Sequence, residues 1–276
     1  MLPGFERAAW LGIIPEFNPF KFNSFPVNAV RQARLLVAET RRQIAGLNES
    51  GRMKEFPPVI AFQSVVDYTV STPALINDLF AYLPDNGSEL VLFDINRATA
   101  FMPLVRPVFV NMATNMLPDL PRRYITTIIG NVGPGDTRTV ERIAPAGGRE
   151  FLVGEPGAIY PAEVFSLSHI SLPFPESDSL YGSAPENKDE FGLNLGLVAN
   201  AQGERGILAI NTNLFFRIAS NPLFDYVAKR IDGAIDGVPA GAKISGARDD
   251  AIPKAKITQE EYDALMKETH YKEGTF

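Results

Sequence analysis

The sequence predicts an α/β fold, a mostly parallel sheet with helices on its faces. Three observations carry that expectation. The run 59–66, Val-Ile-Ala-Phe-Gln-Ser-Val-Val, is almost continuously apolar and rich in β-branched residues, the pattern of a strand buried on both faces of a parallel sheet. A helical pattern over 73–83 follows, with Leu75, Ile76, Leu79, Phe80 and Leu83 apolar. A second apolar run at 89–95 then closes the unit. Strand, helix and strand in this order form a βαβ unit, whose strands are parallel and whose connection is right-handed.

The elements can be taken in order. Residues 1–30 are apolar and aromatic but broken by Pro3, Pro15, Pro19 and Pro26, too irregular for a helix or a strand. Such a segment either wraps a core or walls an apolar pocket. From 27 to 47 the pattern turns helical, with Val30, Ala33, Leu36 and Val37 along one face and most arginines elsewhere,. Pro57 and Pro58 mark the start of the first strand, because proline donates no ladder bond,. Ser71-Thr72-Pro73 supplies an N-cap and a first-turn proline for the helix after it,. Pro84 to Gly87 makes a turn,. A further helix is expected over 103–117, ended by Pro118 and Pro121, with a third strand at 124–130 and a fourth, at an edge, over 137–143.

The glycine-rich stretch 130–136 lacks both the Gly-Lys-Ser/Thr ending and the GxGxxG spacing of a phosphate loop, and reads as a hairpin-like turn,. Residues 206–210 are expected to form a short strand. Asn221 caps a helix over 221–231, with Pro222 in its first turn,. Residues 232–256 are weakly patterned and expected to be mobile, and Thr258-Gln-Glu-Glu261 opens a last short helix,. The chain thus divides into a leading segment, 1–50, a main α/β domain, 51–235, and a tail, 236–276.

Composition excludes several classes of function. Net charge is −6 with no dense basic cluster, so nucleic acid is not the expected partner. The absence of cysteine excludes disulfides, thiolate zinc sites and cysteine nucleophiles within this chain,. No apolar run reaches the length of a membrane span, and the first residues lack the order of a signal peptide,. The chain as it stands is expected to be cytoplasmic. No cofactor or metal is expected, because His169, the one candidate of the two histidines, with scattered carboxylates such as Asp67 and Asp94 offers too few ligands at metal-site spacing,.

Two residues carry a catalytic reading. Asp67 directly follows the first buried strand, on the edge where open α/β sheets place their sites,; its structural alternative is to cap a turn. His169 is framed by serines and apolar residues, with Pro173 and Pro175 behind it, whereas His270 lies in the polar tail. A carboxylate that orients an imidazole is the working half of an acyl-transfer triad. Asp before His is also the α/β-hydrolase chain order.

The segments Gly12-Ile-Ile-Pro-Glu-Phe-Asn-Pro-Phe-Lys-Phe-Asn-Ser-Phe-Pro-Val-Asn28, Phe62-Gln-Ser-Val-Val-Asp-Tyr-Thr-Val-Ser-Thr72, Glu89-Leu-Val-Leu-Phe-Asp-Ile-Asn-Arg97, Phe165-Ser-Leu-Ser-His-Ile-Ser-Leu-Pro-Phe174 and Asn221-Pro-Leu-Phe-Asp-Tyr226 resemble the C-terminal part of bacterial α/β-hydrolases of the lysophospholipase or monoacylglycerol-lipase-like type. The resemblance implies that Asp67 is the triad acid and His169 the triad histidine. It also implies that 1–50 is cap material with a connecting helix, and that the family's usual chain begins well before Met1. The apolar, aromatic start of the chain separately suggests a small apolar ester or acyl chain as substrate, on composition.

The chain departs from that family in its nucleophile. No serine has glycine both two before and two after it, so G-x-S-x-G is absent; Ser64, Ser166 and Ser168 lie near the site in sequence but on no strand-to-helix elbow. The expected partner is a missing N-terminal half, or a second copy meeting an exposed sheet edge. The alternative is a non-catalytic α/β module that binds an apolar ligand or a partner chain through its Phe-rich start.

Overall fold

The computed structural model describes residues 9–13, 15, 22, 24–119, 121–155, 157–168, 173–197, 201–204, 206–210, 220–237 and 247–248. The chain divides into two units, 1–55 and 56–276.

In the first unit, β1 (Trp10–Gly12) pairs antiparallel with β2 (Phe25–Pro26), a short pairing inside the segment expected to be irregular. Pro26, in extended conformation, leads directly into α1 (Val27–Glu49). Gly46 does not end this helix, since a single glycine costs only about 1 kcal/mol against the rest of a 23-residue run,. Its only buried residue is Ile44. Leu36 and Val37, expected on a covered face, are exposed.

Among the described residues the second unit is built on a six-stranded sheet in sequential order: β3 (Ile60–Ser64), β4 (Glu89–Phe93), β5 (Ile125–Asn131), β6 (Thr139–Ala144), β7 (Leu152–Val153) and β8 (Ala247–Arg248). The first three strands are parallel, in registers Ile60–Glu89 and Glu89–Ile125. From β5 onward every pairing is antiparallel. The sheet is therefore mixed rather than mostly parallel. The switch falls at the 132–138 connection, too short to hold a crossover helix, so β6 must return beside β5 as a hairpin. Gly135, at φ +78°, takes the left-handed position in that turn,.

β6 is not an edge strand either, because β7 covers it through Arg142–Val153 and Ile143–Leu152. Among the described residues the sheet's edges are β3 and β8, and β3 pairs only with β4. Accordingly Ile60, Ala61 and Phe62 are half-buried, whereas all five residues of β4 are buried. Burial on both faces was the right expectation for β4 and too strong for β3.

The helices follow their caps and prolines. Ser71 Oγ accepts from the Ala74 amide at 3.3 Å and starts α2 (Thr72–Leu75), which continues as a π-helical turn over Ile76–Phe80. The expected helix over 103–117 is broken instead into 3-10 turns, Met102–Leu104 and Pro107–Phe109, and one short α-helical turn, α3 (Met112–Asn115). Pro103 and Pro107 each sit in the first turn of a separate piece, since neither can donate within a continuous helix,. The segment 206–210 is no strand. It is tied to the 104–106 loop by the bridge Val105–Leu208 and by Arg106 N donating to Ile207 O at 3.0 Å.

α4 (Phe224–Ile235) begins two residues past the first-turn proline expected for it and runs four residues beyond the expected end. Asn221 Oδ1 still accepts an amide, that of Leu223, at 2.9 Å. The tail helix expected at 258–261 lies outside the described residues.

Alternate residues of β4 face opposite sides of the sheet. Val91 and Phe93 join Ile129, Tyr160, Val164, Leu167 and Leu223 in one core, against which Tyr226 and Val227 of α4 pack. Charged contacts fix the helix there: Arg230 pairs with Glu89, whose other oxygen accepts from Thr127 Oγ1 at 2.5 Å, and Tyr226 OH donates to Glu141 at 2.7 Å.

Candidate functional site

The carboxyl ends of the three parallel strands gather a layer of polar side chains, and the sequence says why. Each strand ends in or beside a polar residue: Ser64 at the end of β3, Asp94 after β4, Asn131 at the end of β5. Asp94 is buried, and its burial pushes the carboxyl above the usual carboxylate range, opposed chiefly by Arg97, whose Nη2 lies 3.1 Å from Oδ2. Asn96 then ties a distant segment to the sheet. Its Nδ2 donates to the carbonyls of Pro161 and Val164 at 2.8 and 2.7 Å, its backbone amide to Phe165 O, and its Oδ1 accepts from Asn131 Nδ2 at 3.0 Å.

That anchoring delivers residues 165–168 to the end of β3. Ser64 Oγ donates to Ser168 Oγ at 3.3 Å, and Ser166 and Ser168 share a hydrogen bond of 3.1 Å. All three hydroxyls are buried. They are linked through Ser168, and Ser166 Oγ also accepts from the Glu204 amide at 2.8 Å.

Asp67 lies where the sequence placed it, three residues beyond β3 and partly buried. Its Oδ1 accepts from the amides of Thr69 and Val70 at 2.8 and 2.9 Å. This is the turn-capping role, and it uses one oxygen; Oδ2 accepts nothing from the described residues. The turn is held from a second side by Glu204, whose Oε2 accepts from Tyr68 N at 3.2 Å. His169 lies outside the described residues. Ser168, immediately before it, is placed at the end of β3.

Asn96, Gln202 and Glu204 had no signal in the sequence. Among the described residues no three His, Asp or Glu side chains converge as a metal cluster, and no helix is long and apolar enough to cross a membrane. No family model matches the chain, and comparisons with characterised proteins and with solved structures find no match either.

Proposed function

We propose that this chain carries the acid- and histidine-bearing part of a serine hydrolase, a carboxylesterase or lipase of the α/β-hydrolase type acting on an apolar ester. One observation carries the reading. The Ser64–Ser168 contact of 3.3 Å sets the residue before His169 beside the strand end that leads into Asp67, although the two serines are 104 residues apart. Asp67 keeps one carboxylate oxygen for an imidazole while the other fixes its own turn.

In this reading Asp67 holds the His169 imidazole in one tautomer, and His169 takes the proton of a serine and returns it to the leaving alcohol. The serine comes from outside these residues, since none of those present stands in a G-x-S-x-G frame,. The measurement is hydrolysis of p-nitrophenyl acetate by this chain and by a form that includes its upstream coding sequence. The 276-residue chain should show no serine-hydrolase turnover. The longer form should turn over, and there His169→Ala should lower kcat by about a thousandfold or more, with Asp67→Asn also severe. Full activity in His169→Ala would remove the triad assignment.

A second reading has an observation of its own. Leu11, Ile13, Phe22 and Phe25 are all more than half exposed, which favours a non-catalytic module that binds an apolar ligand or chain through this segment. A longer form that stays unlabelled by a fluorophosphonate and inert toward esters, while the chain binds an acyl probe, would establish it instead.

A further inference from the structure

The segment 202–204 crosses from the loop ahead of residue 168 to the turn that carries Asp67. Val164 and Gln202 form a parallel bridge, with Phe165 N donating to Gln202 O at 2.8 Å and Gln202 N to Glu163 O at 2.9 Å. Gly203 follows at φ +152°, and a Cβ there would stand 2.5 Å from the Phe165 ring and 2.7 Å from Ser166 Oγ. Only glycine lets the backbone pass this close. Glu204 is 1% exposed. Its amide donates to Ser166 Oγ at 2.8 Å, and its carboxylate accepts from Tyr68 N at 3.2 Å. One residue thus touches both segments that the hydrolase reading uses, from a position more than thirty residues beyond either.

We propose that Glu204 is a positioning residue that clamps the Asp67 turn to the 164–168 segment and so sets the carboxylate in register with the chain leading to His169. This rests on the serine-hydrolase reading for its catalytic consequence, but the clamp itself is a property of the chain in hand. A carboxylate receiving an amide in a partly buried place makes a charge-assisted bond stronger than a neutral one,. Removing it takes that acceptor from the half-buried Tyr68 amide,. The Asp67 turn then opens more often, and with it the Thr69 and Val70 amides that Asp67 holds.

The test is residue-resolved amide hydrogen exchange on the full 276-residue chain. Glu204→Ala should speed exchange at Tyr68, Thr69 and Val70 by about tenfold or more, with β4 and β5 unchanged. Glu204→Gln, which keeps an oxygen acceptor, should restore most of the protection. If Glu204→Ala does not fold, Ser166→Ala supplies the second arm, since it frees the Glu204 backbone and should also raise exchange at Tyr68. Unchanged exchange at Tyr68 in every folded variant overturns the clamp.

In the ester-hydrolysing form, Glu204→Ala should lower kcat at least tenfold with KM little changed, and Glu204→Gln should recover most of it. Altered exchange with full turnover would make Glu204 structural only and overturn the positioning role. A form with no turnover at all counts against the hydrolase reading and leaves the exchange result to decide the clamp.

Discussion

Among single residues, side chains that close short loops are the easiest to test. Asp136 sits in the β5–β6 turn, where Arg138 grips its carboxylate through Nε at 3.0 Å and Nη2 at 2.6 Å. The Arg138 side chain and backbone amide hold the Asp136 pKa down to about 2 from its usual 3.8. A depressed carboxyl pKa contributes stability that is full above the unfolded-state value and is lost as pH falls through the folded one. The loss should therefore fall between about pH 4 and pH 2 and leave neutral pH untouched. Carboxyl NMR titration should place the Asp136 midpoint near 2 and show it rising toward 3.8 in Arg138→Ala; a midpoint unmoved by that substitution would assign the shift elsewhere. The pair is exposed, so salt should weaken it. The place of Asp67 in the turn after β3 was legible in the sequence because a strand end is a local signal. Glu204 was not, since its bond to Tyr68 spans 136 positions and no periodicity marks a residue whose role depends on a close pass of backbone.

Among the elements, α4 has the clearest dependence on buried charge. Burial raises the Glu89 carboxyl above its usual range, while the Thr127 hydroxyl and Arg230 favour the ionised form. Arg230→Ala leaves that carboxylate without its cation, and breaking a buried pair in this way costs about 3–5 kcal/mol. Urea unfolding should show the loss as a lower midpoint, and the double variant Glu89→Gln, Arg230→Met should regain most of it. A single variant within about 0.5 kcal/mol of wild type would mean the pair does not hold α4. The helix itself was readable from its apolar period, but Asn221 is not its cap and Pro222 is not in its first turn, since it starts at Phe224 behind Leu223. The helix expected over 103–117 was misread for a related reason: its apolar spacing suits a helix, yet Pro103 and Pro107 lie inside the run, and a missing donor at each outweighs the spacing,.

For the whole molecule, the sequence showed the α/β class and the first three sheet strands, because long apolar runs separated by a capped helix leave few alternatives. It did not show the mixed sheet. β7 and β8 are two residues each, too short for any alternation, and only pairing, of β7 with β6 and of β8 with β7, makes them strands. The order of the elements also has a consequence during synthesis. β3 to β6 are complete once Ala144 is made, but α4, which packs on the Val91–Phe93 face, begins only at Phe224. Tyr160, Val164 and Leu167 reach that face earlier, but at about 5–20 residues per second those roughly eighty residues still leave it without the helix for about 4–16 seconds. Nascent chains stopped before α4 emerges should bind an apolar dye or a holdase chaperone, and chains stopped after it should release it. In the cell, the protein's most vulnerable moment is then set by the ribosome's pace across residues 145–223.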